Sequence, residues 1–130
     1  MHMKWVKAAF AASAVYDGIL ALVFLFFAPP VFQYFNVEMP NHPGYLQFPA
    51  LLLIVFALMY WKIASDPLKF KELIPFGIGL KVSYCLAVFY NWAGVGVPSV
   101  WIPLAWIDLI FLVFFVIGWR NLGTAGRAAA

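Results

Sequence analysis

Three charged side chains lie inside long apolar runs of this chain. Asp17, Lys81 and Asp108 each interrupt a stretch that carries no other charged residue. Two carboxyl groups and one ammonium group, if they meet, could form a buried ion cluster that fixes helix pairing, or one that binds a ligand or holds a proton. They could also, in principle, transfer protons to and from a substrate. The elements that position them decide whether they meet.

The composition indicates a membrane protein. Of 130 residues, 66% are hydrophobic and 10% are charged. Soluble domains are about 45–50% apolar and about 25% charged. The length allows one domain, 1–130, and we expect the lipid bilayer to be its solvent.

The apolar runs predict four transmembrane helices. About 20 helical residues cross the hydrocarbon core of a bilayer. The predicted fold is therefore all-α, a transmembrane antiparallel four-helix bundle. Pro29-Pro30 should end or kink the first span, the following apolar residues should lie at the interface, and the tail from Arg120 should be disordered. The predicted spans are about 5–28, 46–64, 73–92 and 100–119.

The basic residues predict an orientation with both termini inside. If four spans alternate, the two loops on the other side contain no Lys or Arg, which follows the positive-inside rule. Basic residues at span ends form no stripe with interleaved aromatics, so we expect no nucleic-acid partner. The basic residues placed inside are Lys4, Lys7, Lys62, Lys69, Lys71, Arg120 and Arg127.

The three charges should lie at similar depths. At about 1.5 Å per helical residue, Asp17 is about 18 Å from the start of its span at Trp5, and Asp108 is about 16 Å from Trp119. Lys81 is about 12 Å from Leu73, and its long side chain extends further. Each charge near the bilayer centre costs about 2.5–3.5 kcal/mol, so the three should face inward and pair. We predict an ion cluster with Lys81 between the two carboxyl groups.

The predicted ion cluster has one carboxyl group in excess. A buried net charge is costly, so one carboxyl should be protonated or strongly hydrogen-bonded. Polar residues one helical turn away, or adjacent in sequence, are predicted to surround the cluster. These neighbours are Ser13, Tyr16, Tyr84 and Cys85.

Three roles for the ion cluster stay open: a structural lock, a binding or proton-linked site, and acid–base catalysis. The sequence shows no nucleophile with an adjacent base and no phosphate loop, so the prediction leans away from an enzyme. Cys85 is the single cysteine, and His2 and His42 are far apart in sequence, so we expect no metal and no cofactor.

Three stretches resemble small bacterial four-helix membrane proteins of the DoxX-like kind or a related uncharacterised family. The opening span YDGILALVFLFFAPPVFQYFNV is similar in type to DoxX-like proteins, and NHPGYLQFPALL and LIPFGIGLKVSYC are similar to an uncharacterised bacterial membrane family. The resemblance implies a four-helix fold in the bacterial inner membrane and an association with redox and quinone-linked complexes. The Asp–Lys–Asp set departs from any DoxX motif, and no catalytic residue is implied.

Three functional hypotheses follow. The leading hypothesis is a small integral membrane protein that binds, at the ion cluster, a small hydrophobic or proton-linked ligand or a membrane partner, a second copy of the chain included. The second is an accessory subunit or scaffold of a respiratory or redox complex, with the cluster as a structural lock. The third is an intramembrane isomerase-like enzyme on a lipid-like substrate, which requires a cavity open to lipid beside Lys81 and Asp108.

Overall fold

Helices and turns are the regular structure of the described part of the chain. The computed structural model describes residues 2–129, and the side chains of residues 4–123. No strand forms within those residues. The elements in chain order are α1 (His2–Phe26), α2 (Ala28–Tyr34), α3 (Gly44–Ser65), a 3-10 turn (Lys71–Leu73), α4 (Ile74–Ala93) and α5 (Trp101–Ala129).

Four of these helices are long and apolar enough to cross a membrane, and this confirms the corresponding part of the predicted fold. Each exceeds the roughly 20 residues that a helix needs to span the hydrocarbon core. The spans are Lys4–Phe26, Gly44–Ser65, Lys71–Ala93 and Trp101–Gly123.

The proline pair begins a helix as well as following one. Helix α1 ends at Phe26, and Pro29 and Pro30 lie in the first turn of α2. Proline suits this position because its fixed φ is helical and the N–H that it lacks would have no helical acceptor. The apolar residues after the pair, expected only to lie at the interface, thus form a short helix that buries Phe32.

Asp66 caps a turn and not helix α4. The backbone N–H of Lys69 donates to Asp66 Oδ1 at 3.2 Å, which is the geometry of an N-cap. The residues that follow form a turn and then the 3-10 segment, so α4 begins only at Ile74. Pro75 then occupies its first turn.

The expectation of a disordered tail from Arg120 is wrong. Helix α5 continues beyond the predicted end of the span at 119 and ends at Ala129. Packing explains the first part of this extension, because Leu122 is only 2% exposed and belongs to the core.

The core lies towards the end of the fold where α1 begins. Helix α1 packs most extensively on α3, and α4 on α5, with smaller contacts joining α1 to α5 and α3 to α4. The rings of Phe10 and Phe115 stack with centroids 4.1 Å apart. The buried apolar residues of this core are Val6, Phe10, Ala14, Tyr60, Ile63, Ile74, Phe115 and Leu122.

Candidate functional site

The structure brings Asp17, Lys81 and Asp108 together. Lys81 Nζ on α4 donates to both carboxyl oxygens of Asp17 on α1, at 3.2 Å to Oδ1 and 3.1 Å to Oδ2. It also donates to Oδ1 of Asp108 on α5, at 2.9 Å. We call these three residues the ion cluster. It connects three of the four long helices.

The ion cluster is buried and its ammonium group is saturated. Lys81 is 0% exposed, Asp17 2% and Asp108 8%. An ammonium group has three N–H donors, and the three carboxyl oxygens in contact with Lys81 match them in number. Saturation of this kind is what makes a lysine tolerable in a low-dielectric interior.

Three aromatic rings surround the ammonium group of Lys81. Its Nζ lies 5.1 Å from the ring centroid of Phe111, 5.3 Å from that of Tyr60 and 5.6 Å from that of Tyr16. Each distance lies within the roughly 6 Å at which a cation is attracted to a ring face. Because Tyr60 lies on α3, all four long helices contribute to the surroundings of Lys81.

Gly77 allows Tyr60 to reach this position. The Tyr60 hydroxyl donates to the Gly77 carbonyl oxygen at 2.7 Å, one helical turn before Lys81. A Cβ atom on Gly77 would lie 2.6 Å from Tyr60 Cε1, which is shorter than any van der Waals contact. The glycine that the sequence places on the Lys81 face therefore permits a close approach of α3 to α4.

Two of the predicted polar neighbours have buried hydroxyl groups. Ser13 Oγ and Tyr16 Oη both lack a hydrogen-bond partner among the side chains that the structure describes, residues 4–123. Ser13 lies one turn before Asp17, and the Tyr16 ring faces Lys81. A buried hydroxyl group of this kind is normally bonded to a water molecule or a ligand.

The other two predicted neighbours bond to α5 and not to the ion cluster. The Tyr84 hydroxyl donates to the Trp101 carbonyl oxygen at 3.2 Å. The Cys85 thiol donates to the Ala105 carbonyl oxygen at 3.5 Å, and the residue is buried. Both side chains therefore join α4 to α5.

A cavity of about 280 Å³ borders the ion cluster. Asp17 and Asp108 line it, whereas Lys81 does not. We call it the apolar cavity, because hydrophobic side chains from all four long helices form most of its remaining wall. These include Leu20, Phe24, Ala50, Leu53, Leu80 and Leu104.

The apolar cavity lies on the opposite side of the ion cluster from the core. Its far wall contains Phe24 near the end of α1 and Trp101 at the start of α5, with ring centroids 5.5 Å apart. Leu52 of α3 lines it and is 41% exposed, so the cavity reaches the surface of the helices there.

Nothing in the sequence indicated that Tyr60 or Phe111 would face Lys81, and a cavity beside Lys81 and Asp108 was expected only under the isomerase-like hypothesis. An aromatic residue in an apolar run carries no signal of its own, and a cavity depends on how four helices fit together. Tyr60 precedes Trp61 and Lys62 near the end of its predicted span, where a tyrosine is ordinary, so its position carried no signal either.

Comparisons with protein-family models, curated proteins and solved structures find nothing that matches this chain. The DoxX-like resemblance therefore stays a prediction. The function of the protein is therefore inferred from the geometry of the ion cluster and the apolar cavity.

Proposed function

We propose that this chain is a small integral membrane protein that binds a small hydrophobic molecule in the apolar cavity. The observation that carries the proposal is the cavity itself, an apolar space that ends on Asp17 and Asp108. Binding sites for small molecules are typically apolar, with a few polar groups that orient the ligand.

The size of the apolar cavity sets the size of the ligand. An engineered protein cavity of about 150 Å³ takes up benzene. At about 280 Å³, this one has room for an aromatic ring with a short side chain. The proposed ligand is thus a small molecule, or one end of a larger one that extends past Leu52 into the lipid.

The proposal includes an antiparallel bundle in the bacterial inner membrane with both termini inside. Ring contacts support the antiparallel part, since Phe10 of α1 meets Phe115 while the later Phe24 meets the earlier Trp101. The positive-inside rule supports the orientation. In this orientation the apolar cavity lies between the ion cluster and the outer surface. A reporter fused to either terminus should locate to the inside, and an outside location would contradict the proposed orientation.

Filling the apolar cavity tests the proposed binding. Ala50 is 3% exposed and lines the cavity, so Ala50→Phe places a ring inside it. Val55 on the same helix is 59% exposed and does not line it, so Val55→Phe is the matched control. The probe is ethylbenzene, and the readout is the Tm of the purified protein in micelles.

Ethylbenzene should raise the Tm of the unaltered protein and of Val55→Phe, and should have much less effect on Ala50→Phe. A ligand at ten times its Kd stabilises the folded state by about 1.4 kcal/mol. Equal shifts in all three proteins would mean that ethylbenzene acts through the micelle. Either that result or no shift in the unaltered protein would refute binding in the apolar cavity.

A second candidate function is an accessory subunit of a redox membrane complex, of the type that the DoxX-like resemblance implies. The saturated ammonium group of Lys81 favours it, because a fully paired cluster suits a structural lock. If the chain is such a subunit, it should copurify with larger membrane proteins under mild extraction. A second copy of the chain as the partner also stays a prediction.

The isomerase-like alternative stays a prediction as well. The cavity that it requires is present beside Asp108, but Lys81 does not line it. No observation favours catalysis over binding.

A further inference from the structure

The two carboxyl groups of the ion cluster are not equivalent. Asp17 uses both of its oxygens on Lys81 and is 2% exposed. Asp108 uses only Oδ1, and within the described side chains of residues 4–123 its Oδ2 has no hydrogen bond. Asp108 is also the more exposed of the two, at 8%. Asp17 and Lys81 thus form a closed pair, and Asp108 is the carboxyl group in excess.

The excess carboxyl group gives the polar end of the apolar cavity an acceptor character. Asp108 lines the cavity, while Lys81, the nearby cation, does not and has its three donors engaged. Tyr16 also lines the cavity, and its buried hydroxyl, which has no partner among the described side chains, can accept or donate a hydrogen bond. A cation placed here would meet oxygen acceptors, and its charge would compensate the carboxyl group in excess.

Aromatic rings line the apolar cavity at both ends, with Tyr16 beside the ion cluster and Phe24 and Trp101 on the far wall. Tyr16, Tyr84, Phe24 and Trp101 all line the apolar cavity. Aromatic faces attract organic cations, and the attraction is largest where water is excluded. A ligand carboxylate would instead bring a second negative charge beside Asp108, and like charges repel.

We propose that the ligand is a small organic amine whose ammonium group binds Asp108 and whose apolar body fills the cavity. This rests on the proposed function, that the apolar cavity binds a small molecule, and adds the chemical class. The ammonium group completes the charge balance, with two cations for two carboxylates. It also supplies the donors that Asp108 Oδ2 and the Tyr16 hydroxyl lack.

Three probes of matched shape test the charge of the ligand. The first, 2-phenylethylamine, is an ammonium ion at neutral pH. The second, 2-phenylethanol, is neutral and carries a hydrogen-bond donor. The third, ethylbenzene, has neither a charge nor a donor. Calorimetry on the purified protein in micelles gives the three Kd values. A charged hydrogen bond in a site of this kind should make the amine bind about ten- to a hundredfold more tightly than ethylbenzene.

Asp108→Asn should abolish the preference for the amine and leave ethylbenzene binding in place. The closed pair of Asp17 and Lys81 is retained in this variant, so the fold should persist. The matched control is Glu38→Gln, which removes an exposed carboxyl group outside the cavity and should leave all three Kd values unchanged.

The outcomes separate this inference from the function on which it rests. If the amine binds no more tightly than ethylbenzene, or no more tightly than 2-phenylethanol, the inference is overturned while binding in the cavity stands. If no probe binds and Ala50→Phe behaves as the unaltered protein does, the proposed function itself fails. The ranking of the three probes on the unaltered protein decides the inference even if Asp108→Asn does not fold.

Discussion

Gly77→Ala tests the close approach of α3 and α4 beside the ion cluster. The added Cβ would lie 2.6 Å from Tyr60 Cε1 and 3.2 Å from Met59 Cε. The methionine end can move aside. The tyrosine ring cannot move easily, because it is 0% exposed and its hydroxyl is held at 2.7 Å by the Gly77 carbonyl.

The expected loss of stability combines three effects. Overpacking costs about 1–3 kcal/mol. Weakening the Tyr60 hydrogen bond costs about 0.5–1.5 kcal/mol. Alanine in place of glycine within a helix returns about 0.5–1 kcal/mol. The free energy of unfolding should therefore fall by roughly 0.5–4 kcal/mol.

Gly79→Ala is the matched control on the same helix. No atom lies within 4 Å of the position that its Cβ would occupy. This variant keeps only the helix effect and should gain about 0.5–1 kcal/mol. Unfolding by denaturant in mixed micelles, followed by circular dichroism, gives both values. The helix effect is common to both variants, so they should differ by the other two effects, about 1.5–4.5 kcal/mol, with Gly79→Ala the more stable.

A Gly77→Ala variant as stable as Gly79→Ala would refute the reasoning. It would mean that Tyr60 does not pack against Gly77 or can leave without cost. Tyr60 would then have no fixed place near Lys81. A less-than-additive loss in Gly77→Ala combined with Tyr60→Leu would support the contact, because neighbouring residues that share one interaction are coupled.

Further predictions concern the ion cluster and its neighbours, all measured by the same unfolding assay. Lys81→Met should cost about 3–5 kcal/mol because it leaves buried carboxyl groups unpaired, and adding Asp17→Asn and Asp108→Asn should restore most of the loss. Alone, Asp108→Asn should cost less than Asp17→Asn, since one contact to Lys81 is weakened and not two; the reverse order would contradict the closed pair. Tyr84→Phe should cost about 0.5–1.5 kcal/mol through its lost hydrogen bond. Tyr16→Phe should cost less, because the Tyr16 hydroxyl has no partner among the described side chains. Equal losses in the two tyrosine variants would contradict this.

The meeting of the three charges could be predicted from the sequence. A charge in an apolar run is conspicuous, and helical rise converts its position into a depth. The cost of burial then requires a partner. The predicted partners of Lys81 were Asp17 and Asp108, and Lys81 contacts both in the structure.

The details around the ion cluster could not be predicted in the same way. One helical turn places Tyr84 on the face of Lys81, but the direction of its hydroxyl depends on the Trp101 carbonyl across the interface. The sequence shows that the ion cluster has one carboxyl group in excess. Its assignment to Asp108 follows from the structure, because only one Asp108 oxygen contacts the ammonium group.

The ends of the helices could likewise be predicted only in part. The proline pair signals a boundary after α1 without saying that α2 begins there. The polar and small residues after Trp119 resemble a tail, yet Leu122 packs into the core and α5 continues. The packing of Leu122 explains why α5 continues past residue 119, and local composition alone does not indicate this continuation.

The position of a bound heavy atom tests most directly whether the apolar cavity is a binding site. Crystals grown with 1-bromo-4-ethylbenzene would show the bromine by anomalous scattering. We expect one strong peak inside the cavity, between Ala50 of α3 and Leu104 of α5. A peak found only on the lipid-facing surface of α1 and α3, beside Val15 and Leu58, would contradict the proposed site.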